Sequence, residues 1–103
     1  MIMEHHVYFW LKEEYQTNEH RAQFETALKT LVSIEGPLSA KYGKPAAVAE
    51  RPVIDNSWDY ALAMTFESVE AHDLYQVAPG HEAFIKENKH LWSQVRVSDM
   101  ELL

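Results

Sequence analysis

Hydrophobic residues recur along this chain with two different periods, and the places where the period changes predict its elements. From Met3 to Lys12 the sequence is rich in aromatic and β-branched residues, which predicts a strand. Side chains alternate across a strand, so Met3, His5, Val7, Phe9 and Leu11 share one face and His6, Tyr8 and Trp10 the other. Large residues on both faces imply that both are covered, one by helices and the other by a second subunit. Between Thr17 and Ile34 the period lengthens: Phe24, Ala27, Leu28, Leu31 and Ile34 recur at the spacing of one helical face. Thr17 or Asn18 can cap the first amides, Glu19 suits the positive end, and Gly36-Pro37 stops the helix.

Tyr42 to Pro45 reads as a loop and Ala46 to Val53 as a weaker strand, with Pro52 marking an edge or an end. A period of two returns at Trp58, Tyr60, Leu62, Met64 and Phe66, predicting the strongest strand after the turn cluster Asp55-Asn56-Ser57. Ser68 then caps a helix beginning at Val69. Pro79-Gly80 interrupts it, because proline lacks the amide proton a helix interior needs and glycine frees the backbone. A second piece runs from His81 to Lys89, with Pro79 in its first turn. Trp92 to Leu102 closes the chain as a strand, with Val95 and Val97 on one face and Arg96 and Ser98 on the other.

This order, strand, helix, strand, strand, broken helix, strand, is that of an α+β, ferredoxin-like βαββαβ subunit, an antiparallel sheet with helices on one face. The other sheet face, with His6, Tyr8 and Trp10, is expected to pair with a second copy in a homodimeric α/β barrel. With 103 residues the chain is a single domain, 1–103, and burial at an added interface would contribute materially to its stability. A hydrophobic fraction of 47% with 24% charged residues argues against disorder. The formal net charge of -7 opposes binding to nucleic-acid phosphates or anionic lipid. No cysteine is present, which excludes disulfides and thiolate chemistry. No stretch approaches the roughly 20 apolar residues of a membrane span. The expectation is a cytoplasmic protein with neither nucleic acid nor membrane as a partner.

The chemistry concentrates between Glu70 and His81. Tyr75 precedes the break and His81 follows it, so a phenol and an imidazole can meet at a bend. Imidazole titrates near neutrality and can remove a proton beside a carbonyl without a cofactor, and a tyrosine hydroxyl can donate to the developing enolate oxygen. His5, on a strand facing the same helices, is a third polar neighbour. Six histidines and sixteen acids invite a metal, but Glu4, His5 and His6 point to alternate faces, His72 and Asp73 diverge on a helix, and no His-Glu-x-x-His spacing occurs. No metal and no cofactor are therefore expected. A nucleophile elbow is also missing, and three glycines do not make a phosphate loop.

Three stretches then resemble a known family: His5-His6-Val7-Tyr8-Phe9-Trp10-Leu11-Lys12, Thr65-Phe66-Glu67-Ser68, and Tyr75 to His81 followed by Phe84. The closing Trp92 and Val95 to Asp99 fit as well. The chain is similar to the stress-responsive α/β-barrel family, Dabb, of the dimeric α+β barrels, which includes plant stress proteins, bacterial proteins and a polyketide cyclase. In cyclase-like members a Pro-x-His histidine acts as base and a nearby tyrosine positions the substrate for aldol closure. The resemblance implies these catalytic roles for His81 and Tyr75 and a pocket place for His5. Tyr60 stands where the cyclase pattern has a histidine, and Ala27 where it has a tyrosine. The implied ligand is a small hydrophobic carbonyl compound held by His5, Val7, Phe9, Tyr60 and Phe84, with cyclase- or lyase-like turnover. One alternative is a non-catalytic, stress-associated dimer. A second is a cofactor-free monooxygenase-like barrel that uses Asn88 and Trp92 near His81.

Overall fold

The computed structural model covers residues 1–103. Strand β1 (Met3–Leu11) is followed by a single helical turn at Glu13–Tyr15, helix α1 (Asn18–Leu31) and strand β2 (Ser39–Gly43). Strand β3 (Tyr60–Phe66), helices α2 (Val69–Gln76) and α3 (Pro79–Asn88), a helical turn at Lys89–Leu91 and strand β4 (Trp92–Glu101) complete it. The four strands form one sheet in the order β2-β3-β1-β4, all neighbours antiparallel. This is the ferredoxin-like α+β arrangement that the element order predicts.

The period-two residues decide which face the helices cover. Met3, His5, Val7, Phe9 and Leu11 of β1 and Tyr60, Leu62, Met64 and Phe66 of β3 are buried, while the residues between them are half-exposed. Phe24, Leu28 and Leu31 of α1, Tyr75 of α2 and Phe84 of α3 close over them in one core. Burying a leucine or phenylalanine side chain fully contributes about 1.5–3 kcal/mol, so this face dominates the stability. On the opposite face Tyr8 lies between the Trp58 ring, 5.3 Å away, and the Arg96 guanidinium, 5.1 Å away.

The caps follow the sequence. The Thr17 hydroxyl accepts from the His20 amide at 3.1 Å and the Ser68 hydroxyl from the Ala71 amide at 3.1 Å. Helix α1 ends at Leu31, earlier than Ile34, and Ser33 and Ile34 continue as tight turns with i→i−3 bonds. Gly36 then takes φ +133°, a conformation that L side chains rarely adopt. The break between α2 and α3 falls at Val77 and Ala78, and Pro79 opens α3. Gly80 is thus helical, and close packing accounts for it: a Cβ there would come within 2.6 Å of the Ile34 side chain.

The expected strand at Ala46–Val53 is not formed; β2 lies at Ser39–Gly43, in what reads partly as a loop. Its residues pair with β3, Ala40 opposite Met64 and Tyr42 opposite Leu62, and Leu38 N–H donates to the Thr65 carbonyl at 2.7 Å. An edge strand with mostly exposed side chains is held by its backbone, so it leaves no hydrophobic alternation to read.

Asp59 fastens the long irregular segment to the sheet. Its amide donates to the Phe9 carbonyl at 2.8 Å, and its carboxylate accepts from Leu11 N–H at 2.8 Å and from Arg21 at 3.0 Å, joining β1, β3 and α1. Asp59→Ala leaves the Leu11 amide and the Arg21 guanidinium without their acceptor, and is expected to lower the unfolding free energy by about 2 kcal/mol in urea titrations.

Candidate functional site

Helices α2 and α3 cover β1 and β3 but leave β4 partly bare, with its inward residues Val95 and Val97 39% and 49% exposed. A cavity of about 130 Å³ opens in this gap. His81, Tyr75, His5, Val7, Phe9 and Phe84, all expected at the site, line it together with Trp92, Val95 and Val97. Tyr60 does not. It shares the inward face, but its hydroxyl donates to Glu25 Oε2 at 2.6 Å and it borders a separate depression with Tyr42 and Lys44. Tyr60, expected at this cavity, thus lies outside it: the Glu25 carboxylate draws the phenol outward, toward α1.

Asn88 is also elsewhere. Its side-chain amide donates to the Phe84 carbonyl at 2.9 Å, one helical turn back, and it borders a depression between α1 and α3. The combination of Asn88, Trp92 and His81 at one site is therefore absent.

The break between the helices sets the rings of Tyr75 and His81 5.0 Å apart, edge to face. The Tyr75 hydroxyl, His81 Nδ1, Trp92 Nε1 and Gln76 Nε2 are all buried at this cavity without a hydrogen-bond partner. Leaving such a group unpaired costs about 1–3 kcal/mol, so interiors rarely collect several in one place. A polar ligand entering an otherwise apolar cavity can satisfy them.

Burial sets the protonation of these groups. Burial pushes the Tyr75 phenol up to about 12, so it stays a proton donor. Burial lowers the His81 pKa below 6.5, against the opposing influence of the nearby Gln76 backbone. His5 and His72 also lower it, and Glu82 raises it. At neutral pH His81 is therefore an uncharged imidazole able to accept a proton. His5 is likewise lowered by burial, which outweighs the Asp99 carboxylate 2.5 Å from its Nδ1.

Two further residues approach the site that sequence reasoning did not select. Asp99 stands directly opposite His5 in the β1–β4 register, and the His72 ring centroid lies 4.8 Å from that of His5. The alternation of β4 contained part of this signal, since Val95, Val97 and Asp99 share a face. Nothing local placed His72 beside His5.

The fold and this cavity define an α+β, ferredoxin-like domain with an apolar pocket that holds a histidine and a tyrosine. The chain belongs to the Stress Responsive A/B Barrel Domain family, Dabb, whose model matches residues 3–102. A Dabb family protein with a ferredoxin-like fold from Mesorhizobium loti shares 23% identity, with 99% of this chain and 97% of that one covered and a TM-score of 0.78. A dimeric ferredoxin-like protein from Thermobifida fusca shares 19% identity over 99% and 92% of the two chains, TM-score 0.78. A hydroxynitrile lyase from Passiflora edulis shares 20% identity over 99% and 94%, TM-score 0.79. No curated protein matches the sequence. No helix is long and apolar enough to cross a membrane.

Two measurements check the site. Tyr75→Phe removes a buried hydroxyl that has no partner, so the ligand-free protein is expected to gain roughly 1 kcal/mol of stability in urea unfolding. The His81 ring, followed by NMR, is expected to titrate below 6.5. The unfolded chain then binds the proton more readily, so this group's contribution to stability is complete above pH 6.5 and is lost as pH falls through the folded value.

Proposed function

We propose that the chain binds a small hydrophobic carbonyl compound in the cavity between sheet and helices and turns it over by cofactor-free acid–base chemistry. His81 is the base and Tyr75 the donor to the developing oxyanion. The observation that carries this reading is the set of unpartnered polar atoms, Tyr75 OH, His81 Nδ1 and Trp92 Nε1, on an apolar cavity. A neutral imidazole beside a protonated phenol is the pairing that proton abstraction next to a carbonyl, or from a cyanohydrin hydroxyl, calls for. The fold shared with a hydroxynitrile lyase is compatible with the lyase form of this chemistry.

Size narrows the substrate. At about 130 Å³ the cavity is close to the ~150 Å³ that accepts benzene in an engineered protein core, so the fit is to one ring or a short chain. An extended polyketide would require the site to open. Tyr60 turned toward Glu25 also supports a smaller substrate than a cyclase takes. The same cavity weighs against a purely structural dimer, in which the protein's own side chains would fill the space.

The working unit is a homodimer joined through the sheet face of His6, Tyr8 and Trp10. This reading rests on the half-exposed aromatic residues of that face and on the dimeric neighbours. The test is a thermal-shift screen of small aldehydes, ketones and cyanohydrins, followed by turnover assays on the compounds that stabilise the protein. His81→Ala is expected to lower turnover by about 10²–10⁴-fold while the sedimentation coefficient stays that of a dimer. Unchanged turnover would remove the base from His81, and a monomeric wild type would remove the dimer.

A further inference from the structure

We infer that His5, His72 and Asp99 form a binding site for a divalent first-row transition metal at the end of the cavity. The inference stands apart from the acid–base role of His81 and Tyr75, since none of its three ligands is either residue. The ligand atoms of the three residues all lie within 4.8 Å of one another. They come from three elements: His5 from the middle of the sheet, Asp99 from the adjacent edge strand and His72 from α2 above them.

The strongest sign is the state of His72. Its Nδ1 pairs with Asp73 Oδ1 at 3.0 Å, and because a carboxylate only accepts, the proton sits on Nδ1 and the lone pair on Nε2. That Nε2 is buried and has no partner. A histidine whose second nitrogen is held by a carboxylate, with a free lone pair and another imidazole centred 4.8 Å from its own ring, is supported in the way a metal-bound histidine is. Asp73, expected to diverge from His72 along the helix, instead holds the far nitrogen of its ring and thereby acquires a role in fixing it.

His5 and Asp99 supply the remaining donors. His5 Nδ1 and Asp99 Oδ1 are 2.5 Å apart and share a proton. An ion bonded at about 2.0–2.1 Å to each would replace that proton and move the two atoms to roughly 3.3 Å. Asp99 can make this adjustment, since it lies on an edge strand and its side chain is 44% exposed. Two imidazoles and one carboxylate favour zinc, nickel, cobalt, copper or iron over magnesium and calcium, which prefer oxygen ligands. Three protein ligands leave at least one coordination position open, and of the three His5 lines the cavity. The net charge of -7 favours approach of a cation.

The experiment uses the full chain without an affinity tag, freed of metal with a chelator, and titrated with Zn²⁺ by calorimetry and with Co²⁺ by visible absorption. One equivalent per chain, a rise in melting temperature and paramagnetic broadening of the His5 and His72 ring resonances by Co²⁺ are expected. His72→Ala and Asp99→Asn are each expected to weaken binding by at least ~10-fold and Asp73→Asn to weaken it less, whereas His90→Ala leaves it unchanged. Broadening in the wild type keeps the assignment testable if a variant fails to fold. Absence of saturable binding, or binding that survives His72→Ala but is lost in His6→Ala, overturns the site.

Discussion

The register of β1 between its two neighbours is the constraint on which the rest of the molecule depends. Because β1 is central and antiparallel to both, His5, Val7 and Phe9 meet Met64, Leu62 and Tyr60 on one side and Asp99, Val97 and Val95 on the other. A slip of one residue would send all these side chains to the opposite face, leaving α1, α2 and α3 without a surface to cover. The same register makes the site. It brings Asp99 to His5 and lays Val97 and Val95 beside Val7 and Phe9, in the strip that the helices leave uncovered.

The cavity follows from how the helices are divided. A continuous helix from Val69 to Asn88 would present one stripe to the sheet, whereas the break at Val77 and Ala78 lets α2 and α3 each turn a residue inward. Tyr75 and His81 are those residues, one from each side of the break. The close contact of Gly80 with Ile34 seats α3 against the end of α1, and φ +133° at Gly36 lets the chain leave α1 beside Tyr75. Backbone geometry at two glycines thus holds the walls of a cavity whose polar groups lack protein partners. The cost of those unpaired groups is borne by the hydrophobic core around them, a familiar relation between function and stability.

The opposite sheet face is of another character. Small residues, Ala61 and Ala63, flank the aromatic row of β1, and Tyr8 sits against Trp58 and Arg96. Such a face combines close approach with aromatic anchors, as an interface between protein surfaces requires. Nothing in its chemistry overlaps with the cavity, and the two lie on opposite sides of one sheet.

What the sequence determined by itself is whatever has a local period or a local cap. The alternation of β1 and β3, the stripe of Phe24, Leu28 and Leu31, the caps at Thr17 and Ser68 and the existence of a helix break, expected at Pro79-Gly80 and found at Val77 and Ala78, were legible, because each depends on neighbours a few residues away. That Tyr75, His81 and the inward residues of β1 share one side of the sheet was legible for the same reason, and the structure sets them around one cavity. Only the tertiary structure decided the remainder. Strand β2 formed at Ser39–Gly43 because an edge strand is held by backbone bonds to β3, which side-chain pattern does not encode. Tyr60 left the site because Glu25, 35 residues away, accepts its hydroxyl. His5, His72 and Asp99 met because the sheet register and the seat of α2 bring together residues up to 94 positions apart. Spacing along the chain reports which face a side chain occupies, and long-range pairing alone determines what it meets there.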